Sequence, residues 1–347
     1  MRVSVLTDGP ESPGSRFRCL QFFPHLRARG IECEAHFAYD HRYNEVFERR
    51  WAPLYKLGGR LQRAARTILK GNGDLLLVHK TALAVSGLPE WLRSKLGTPI
   101  VFEFDDALHL GPNGADSTPR RRAFERLVEV ADQVIAGNTY LAEVAGAPEK
   151  TTVIPSVIDT DIYLPAAAKR EGSLVVGWIG TASNFSHLRP IVPGLLQELT
   201  TIPRARLRIV SNGFLSEFAN HPQVEHWRWR ADRELAALQS FDIGIMPLED
   251  NEQSRGKCGF KMIQYMACGV PVLASAVGAN VQILERSGAG HLVGGDWGTP
   301  VRDLASSAEL RASMGHRGRL HAEENYSVRS VLDRYVEVFS AAHGARA

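Results

Sequence analysis

The chain has 347 residues, with 41 Lys and Arg against 38 Asp and Glu, 44% apolar residues and 23% charged ones. That is enough for two buried cores, ordinary for a globular protein, and too nearly neutral for whole-molecule charge to argue for nucleic acid. Four cysteines, with no CxxC pair and no histidine at zinc spacing, predict a reducing compartment and no structural metal. A strand directly after Met1, and no apolar run near the ~20 residues of a bilayer span, predict a cytoplasmic protein that at most touches the inner face of a membrane.

In chain order, short apolar runs alternate with helical patterns, the signature of parallel sheets with crossover helices. The first half predicts strands at Val3–Thr7, Ile31–Phe37, Leu75–His79, Ile100–Phe104, Gln133–Ala136 and Thr152–Ile154. The prolines and charges of "PSVIDTDIYLPAAAKREGS" then read as a linker. Strands resume at Leu174–Gly180, Leu207–Ser211, Val224–Trp227, Asp242–Met246, Val270–Ala274 and His291–Val293, and the chain ends in helices. The expected organisation is an α/β chain with one sheet in residues 1–165 and another in 172–325. Residues 326–347 form a terminal helix crossing back to the first domain. Ligands bind at the carboxyl ends of strands in open α/β sheets, so both domains are expected to face an interdomain cleft.

Five stretches carry candidate chemistry. In "TDGPESPGSRFR", Gly9, Pro10, Pro13 and Gly14 shape a loop beside Ser15, and Arg16 and Arg18 open the next helix. Cations there suit a bound anion, or pair with local carboxylates such as Glu11. The run Arg49–Lys70 has seven basic residues, no acid and interleaved apolar residues. It reads as a surface helix touching a membrane or an anionic lipid-linked substrate, or as a plain solvated helix containing Gly58–Gly59. In "VFEFDDALHLG", Glu103, Asp105 and Asp106 cluster at the carboxyl end of an apolar strand, with His109 three residues on. Clustered carboxylates need a cation, hydroxyls or arginines. Sugar hydroxyls or an acceptor, a divalent metal of the DxD type, and a helix start paired with Arg120–Arg122 are the three readings.

In "GWIGTASNFSHL", a strand ends at Ile179, and Gly180, Thr181, Ser183 and Asn184 either cradle a phosphate or cap a helix. The stretch is neither GxGxxG nor a P-loop. Finally, "GKCGFKMIQYMACGVPVLAS" reads as a helix with residues 257, 261, 264 and 268 on one stripe and Phe260, Ile263 and Ala267 on the opposite one. Two lysines at the positive end of a helix cost ~0.3–1 kcal/mol. A diphosphate held by Lys257, Lys261 and Gln264 would relieve that cost; a solvated lysine face is the alternative.

"KCGFKMIQYMACGVPVLASAVGAN", preceded by "DIGIMPLED" and followed by "SGAGHLV", resembles the donor-site segment of GT-B retaining glycosyltransferases of the group 1 (family 4) type. "GSRFRCLQFFPHLRARGI", "FEFDDAL", "VIAGNTYLAEVA", "GWIG" and "NYSVRSVLDRY" extend the resemblance over nearly the whole chain. It implies two Rossmann-like domains and a retaining, metal-independent transfer needing no cofactor. A UDP- or GDP-linked sugar would lie on the C-terminal domain, and a glycan, lipid-linked or small-molecule acceptor on the N-terminal one. Lys257 and Lys261 would meet the diphosphate, with Arg16, Gly180, Thr181, Gln264 and Asn280 also on the donor side. Ser15, Arg18, Glu103 and His109 would lie on the acceptor side, and Asp105, Asp106 and Lys257 would be catalytic. The sequence departs from the family pattern at Gly256 and Gln264, where glutamates are usual, at Thr181, Asn184 and His187, where an Arg and Lys are usual, and at Asp105 or Asp106, in place of a histidine. Gly256 and Gln264 motivate the rival reading, a non-catalytic nucleotide-sugar-binding or scaffold relative.

Overall fold

The computed structural model describes residues 1–41, 52–69, 73–167 and 172–346. They form two compact units. The first comprises Met1–Val157, Asn251–Cys258 and Val328–Ala347, the second Ile158–Asp250 and Gly259–Ser327. Twelve strands occur within two residues of the twelve expected positions.

In the first unit, β1 (Arg2–Thr7), β2 (Glu32–Phe37), β3 (Leu75–His79), β4 (Ile100–Phe104), β5 (Gln133–Ala136) and β6 (Thr151–Val153) form a parallel sheet in the order β2-β1-β3-β4-β5-β6. Strand side chains alternate between faces. Val3, Val5, Leu75, Leu77 and Val101 therefore meet the terminal helix Val328–Gly344 through Val331, Tyr335 and Phe339. Leu76, Val78, Phe102 and Phe104 pack on the other face against Phe124 and Leu127. A sheet covered on both faces reads as continuous apolar runs, which is why "LLLV" and "IVF" identified it.

The compact units depart from the expected division in two places. Residues 158–165 group with the second unit, and Asn251–Cys258 with the first. Short-range packing accounts for the second case. Cys258 joins the core containing Phe104 and Leu141, and its Sγ lies 3.4 Å from the Asp105 carbonyl. Asn138 Nδ2 donates to the carbonyls of Gly256 and Lys257 at 3.2 and 3.3 Å.

In the second unit, β7 (Val175–Ile179), β8 (Arg206–Ser211), β9 (Val224–Arg228), β10 (Ile243–Met246), β11 (Val272–Ser275) and β12 (Gly290–Val293) form a parallel sheet ordered β12-β11-β10-β7-β8-β9. Strands β7 and β10 pair over only two positions. Beyond them Tyr265 is a wedge: its hydroxyl accepts from Ile179 N and donates to Ile245 O, both at 3.2 Å. Space for the ring comes from Gly244, where a Cβ would lie 2.4 Å from Tyr265 Cδ2.

The helix expected from Lys257 instead spans Phe260–Ala267, after Gly259 at φ 67°. A left-handed residue cannot sit inside an α-helix, so Lys257 precedes the helix and the proposed i, i+4 stripe does not form. Among the described residues, no helix is long and apolar enough to cross a membrane.

Gly244→Ala is expected to cost roughly 1–3 kcal/mol by overpacking the Tyr265 wedge. Urea midpoints of the two proteins check this, and an unchanged midpoint would show that the ring can shift freely.

Candidate active site

In each sheet the strand order reverses at one point, and polar groups gather at the adjacent carboxyl ends. In the first unit the reversal lies between β1 and β3. Glu103, near the end of β4, is fully buried. Its Oε1 accepts from Arg18 Nε at 2.6 Å, and its Oε2 lies 2.5 Å from His79 Nδ1. Arg18 is itself 1% exposed, and its carbonyl accepts from the Tyr335 hydroxyl at 3.3 Å. Burial works to raise the Glu103 carboxyl, but Arg18 and then His79 outweigh it and hold it below its ordinary value. Burial opposes the Arg18 charge, yet Glu103 drives its pKa upward.

Above this buried ion pair lies a second, more accessible layer. Lys80 Nζ is 2.8 Å from Asp106 Oδ2 and 3.3 Å from Asp105 Oδ1. Burial opposes both charges, but Asp105 and Asp106 raise Lys80 well above its usual value, while Lys80 holds Asp105 below its own. Lys80 has φ 63°, a left-handed conformation that side chains other than glycine rarely adopt. Arg63 secures this strained corner. It pairs with Asp8 Oδ1 at 2.8 Å and donates to the carbonyls of His79 and Lys80.

The site therefore differs from the sequence expectation in several respects. Arg18 and Glu103 do come together, but they and Ser15 are all buried and do not form an exposed acceptor surface. Ser15 bonds the Thr7 hydroxyl at 2.7 Å. Arg16 and Arg18 do not share an anion site: Arg18 is committed to Glu103, and the Arg16 guanidinium lies over Phe17 at 4.7 Å. His109 is 2% exposed beside Phe124, and its charged neighbours are Arg121, Glu252 and Asp116, not the carboxylate cluster. Lys80, not Arg120–Arg122, pairs with Asp105 and Asp106; Arg121 pairs with Asp116.

His79, Lys80, Asp8 and Arg63 escaped the sequence reading. The available signal was "HK" closing a wholly apolar strand beside the reversal point. Among the described residues, Cys19, His79 and Glu103 bring possible metal-ligand atoms within 4.8 Å of one another. Arg18 already occupies Glu103, and burial raises the Cys19 thiol pKa, so this donor set suits an ion-pair network and does not fit a metal.

In the second unit the reversal lies between β7 and β10. Here Gly180 and Lys261 meet: a Cβ on Gly180 would lie 2.8 Å from Lys261 Cε, so glycine admits the lysine stem. Lys261 occupies the first turn of its helix, with Nζ 5.7 Å from the Trp178 ring centroid. Thr181 Oγ1 accepts from Asn184 Nδ2 at 2.9 Å. Asn280 is 1% exposed and donates to Ser275 O at 3.1 Å, while its Oδ1 has no partner among the described residues.

Gln264 is buried, not on an open polar face; its Nε2 lies 3.4 Å from Glu234 Oε1. Glu234 also accepts from Tyr163 and Trp229 at 2.5 and 2.7 Å. An amide suits this neighbour, because a glutamate at 264 would oppose a buried carboxylate. Gly256 also has a local reason. A Cβ there would lie 3.0 Å from Ala107 Cβ and 3.3 Å from Leu141 Cδ2, so a longer side chain would press into the first unit's own core.

Residues 173–306 match the family model described as glycosyl transferases group 1. The chain is 27% identical to MMP alpha-(1->4)-mannosyltransferase of Mycolicibacterium hassiacum, over 81% of this chain and 74% of the relative. Anabaena HepE, solved in complex with UDP-glucose, superposes with a TM-score of 0.73 at 18% identity, covering 98% of this chain and all of that one. Sucrose-phosphate synthase from Thermosynechococcus elongatus gives 0.71 at 14% identity, covering 99% of each chain. In fold, then, the chain is a GT-B protein. The match of residues 173–306 to the group 1 model, with the similarity to the mannosyltransferase, supports the catalytic class, a glycosyltransferase.

Glu103→Gln is expected to cost ~3–5 kcal/mol at neutral pH by leaving Arg18 buried without its counter-charge. A carboxyl with a lowered folded pKa contributes fully above its ordinary value of 4.5, and the contribution is lost as pH falls through the lowered value. The gap between the urea midpoints of wild type and variant therefore narrows in acid; a gap independent of pH would contradict the pairing.

Proposed function

We propose that the protein moves a sugar from a UDP- or GDP-linked donor to a hydroxyl of a glycan, lipid-linked or small-molecule acceptor. Transfer retains anomeric configuration and uses no metal. The observation that carries the donor assignment is Lys261 in the first turn of its helix, its stem laid across Gly180. The group 1 match and the UDP-glucose complex of HepE support the same reading.

In this reading the second unit holds the donor. As the C1–O bond to the diphosphate stretches, negative charge grows on the leaving oxygen, and Lys261 and the helix N–H groups stabilise it. The acceptor oxygen attacks C1 from the same face, and its proton passes to a leaving phosphate oxygen. No protein nucleophile is needed. Asp105 and Asp106, fixed by Lys80, orient the acceptor hydroxyl on the first unit. The rival reading, a binding or scaffold relative without activity, draws on the local roles of Gly256 and Gln264.

Incubation with nucleotide sugars in the presence of EDTA separates the two readings: release of nucleoside diphosphate supports the transferase, and tight binding without turnover for any acceptor overturns it. Lys261→Ala is expected to weaken nucleoside diphosphate binding roughly 10–100-fold, the value of a charge-assisted hydrogen bond. Binding of the bare nucleoside should hardly change; equal losses in a calorimetric titration would remove Lys261 from the phosphate. Asp106→Asn is expected to slow transfer by on the order of 10²-fold through misplacement of the acceptor. Donor affinity should be kept, and an unchanged transfer rate would remove Asp106 from the site.

A further inference from the structure

Two neighbouring helices of the first unit are built inside out. Helix Ala52–Leu69 turns Gly59, Arg63 and Thr67 inward and leaves Leu54, Leu57, Leu61 and Leu69 between 53% and 73% exposed. Their spacing places all four on one face, with the exposed Gly58 and Ala65 between them. The adjacent helix Leu88–Ser94 buries Glu90 and Arg93. Its outer side carries exposed Leu88 and Trp91, with Leu96 just past its end. Nine of the fourteen exposed large apolar side chains among the described residues fall between Leu54 and Leu96. Contiguous exposure of this kind marks an interaction surface.

The inward polar groups have local work. Arg63 holds Asp8, Thr67 Oγ1 donates to Arg63 O at 2.9 Å, Arg93 donates to Ile68 O at 3.2 Å, and Glu90 accepts from Ala82 N at 2.7 Å. Polar bonds thus hold the helices from within and leave the aliphatic side chains outside. Glycine at 59 belongs to the same arrangement, since a Cβ there would lie 2.2 Å from the Tyr39 ring. The helix runs unbroken through Gly58–Gly59.

The surroundings of this face are cationic. Arg60 borders the leucines, Lys95 Nζ lies 5.5 Å from the Trp91 ring centroid, and Arg120 is close enough to feel Arg60. Helix Ala52–Leu69 contains no acid, and the one acid of Leu88–Ser94 is buried. Burial and then Arg60 lower both Lys56 and Arg120, so like charges are gathered at a cost that an anionic surface would relieve. A second copy of this chain would bring the same cations against one another. An anionic bilayer meets both halves of the pattern: leucines and Trp91 enter the headgroup boundary, and lysine and arginine reach the phosphates. We propose that the face formed by helices Ala52–Leu69 and Leu88–Ser94 docks the protein on an anionic lipid bilayer. The membrane contact expected at Arg49–Lys70 is thereby moved and narrowed: residues 49–51 and 70 lie outside the described residues, and the Leu88–Ser94 helix joins the surface. Docking does not depend on the donor or acceptor assignment.

Flotation of the full chain tests it, with vesicles of equal parts phosphatidylglycerol and phosphatidylcholine and with pure phosphatidylcholine. Binding is expected to the anionic vesicles only, weakening as salt is raised. The Leu57→Asp, Leu61→Asp double variant should lower the bound fraction about tenfold or more, with an unchanged circular dichroism spectrum. Arg60→Glu with Lys95→Glu should weaken binding as well, and Trp91→Phe should remove a vesicle-induced blue shift in fluorescence. No flotation with anionic vesicles, or binding that the leucine variants leave intact, would overturn the proposal. Concentration-dependent dimers abolished by the leucine variants, without vesicle binding, would overturn it too and assign the face to a second copy.

Discussion

The first unit depends on a carboxylate that water cannot reach. Removing Glu103 and Arg18 from solvent costs several kcal/mol per ion, an expense met only by close, well-aligned partners. The arrangement supplies them: Arg18 and His79 divide the two Glu103 oxygens, and Tyr335 bonds the Arg18 backbone. Four parts of the chain are therefore fixed to one another at the strand ends, namely the first βα segment, β3, β4 and the terminal helix. Asp105 and Asp106 follow two and three residues after Glu103. Their position beside Lys80 follows from that anchored strand.

The second unit holds its central strand ends with a neutral group. A neutral tyrosine fills the gap where β7 and β10 diverge, and its hydroxyl satisfies one donor and one acceptor that the sheet leaves open. An unpaired buried backbone group costs ~1–3 kcal/mol, so the wedge stabilises the very divergence that opens the strand ends. Lys261 follows from the same helix, four residues before Tyr265. The two units thus hold their polar edges by different means, an ion pair in one and a hydrogen-bonded aromatic in the other.

The strands were legible because a sheet buried on both faces demands continuous apolar runs, and nothing else in this sequence imitates them. Long-range pairing was not legible. The acidic cluster stood out, but its cation, Lys80, sits 25 and 26 residues upstream of Asp105 and Asp106, at the end of another strand. The helix at Phe260 was misread for a local reason: periodicity ran through Gly259, whose left-handed backbone breaks the helix. Gly259 itself was the available clue. His109 illustrates the opposite error. Nearness in sequence to Asp106 suggested a shared site, whereas burial beside Phe124 places it in the core.

The routing of the chain has a consequence for how the protein can be divided. It leaves the first unit after Val157, returns for Asn251–Cys258, leaves again, and comes back at Val328. Neither unit is one continuous stretch of polypeptide. A fragment ending near residue 157 would lack Val331, Tyr335 and Phe339, leaving one face of its sheet partly uncovered, and would lose the contact of Cys258 with Gly137. Gene-level exchange of the first unit would therefore have to carry three separate segments at once, and exchange of the second, two.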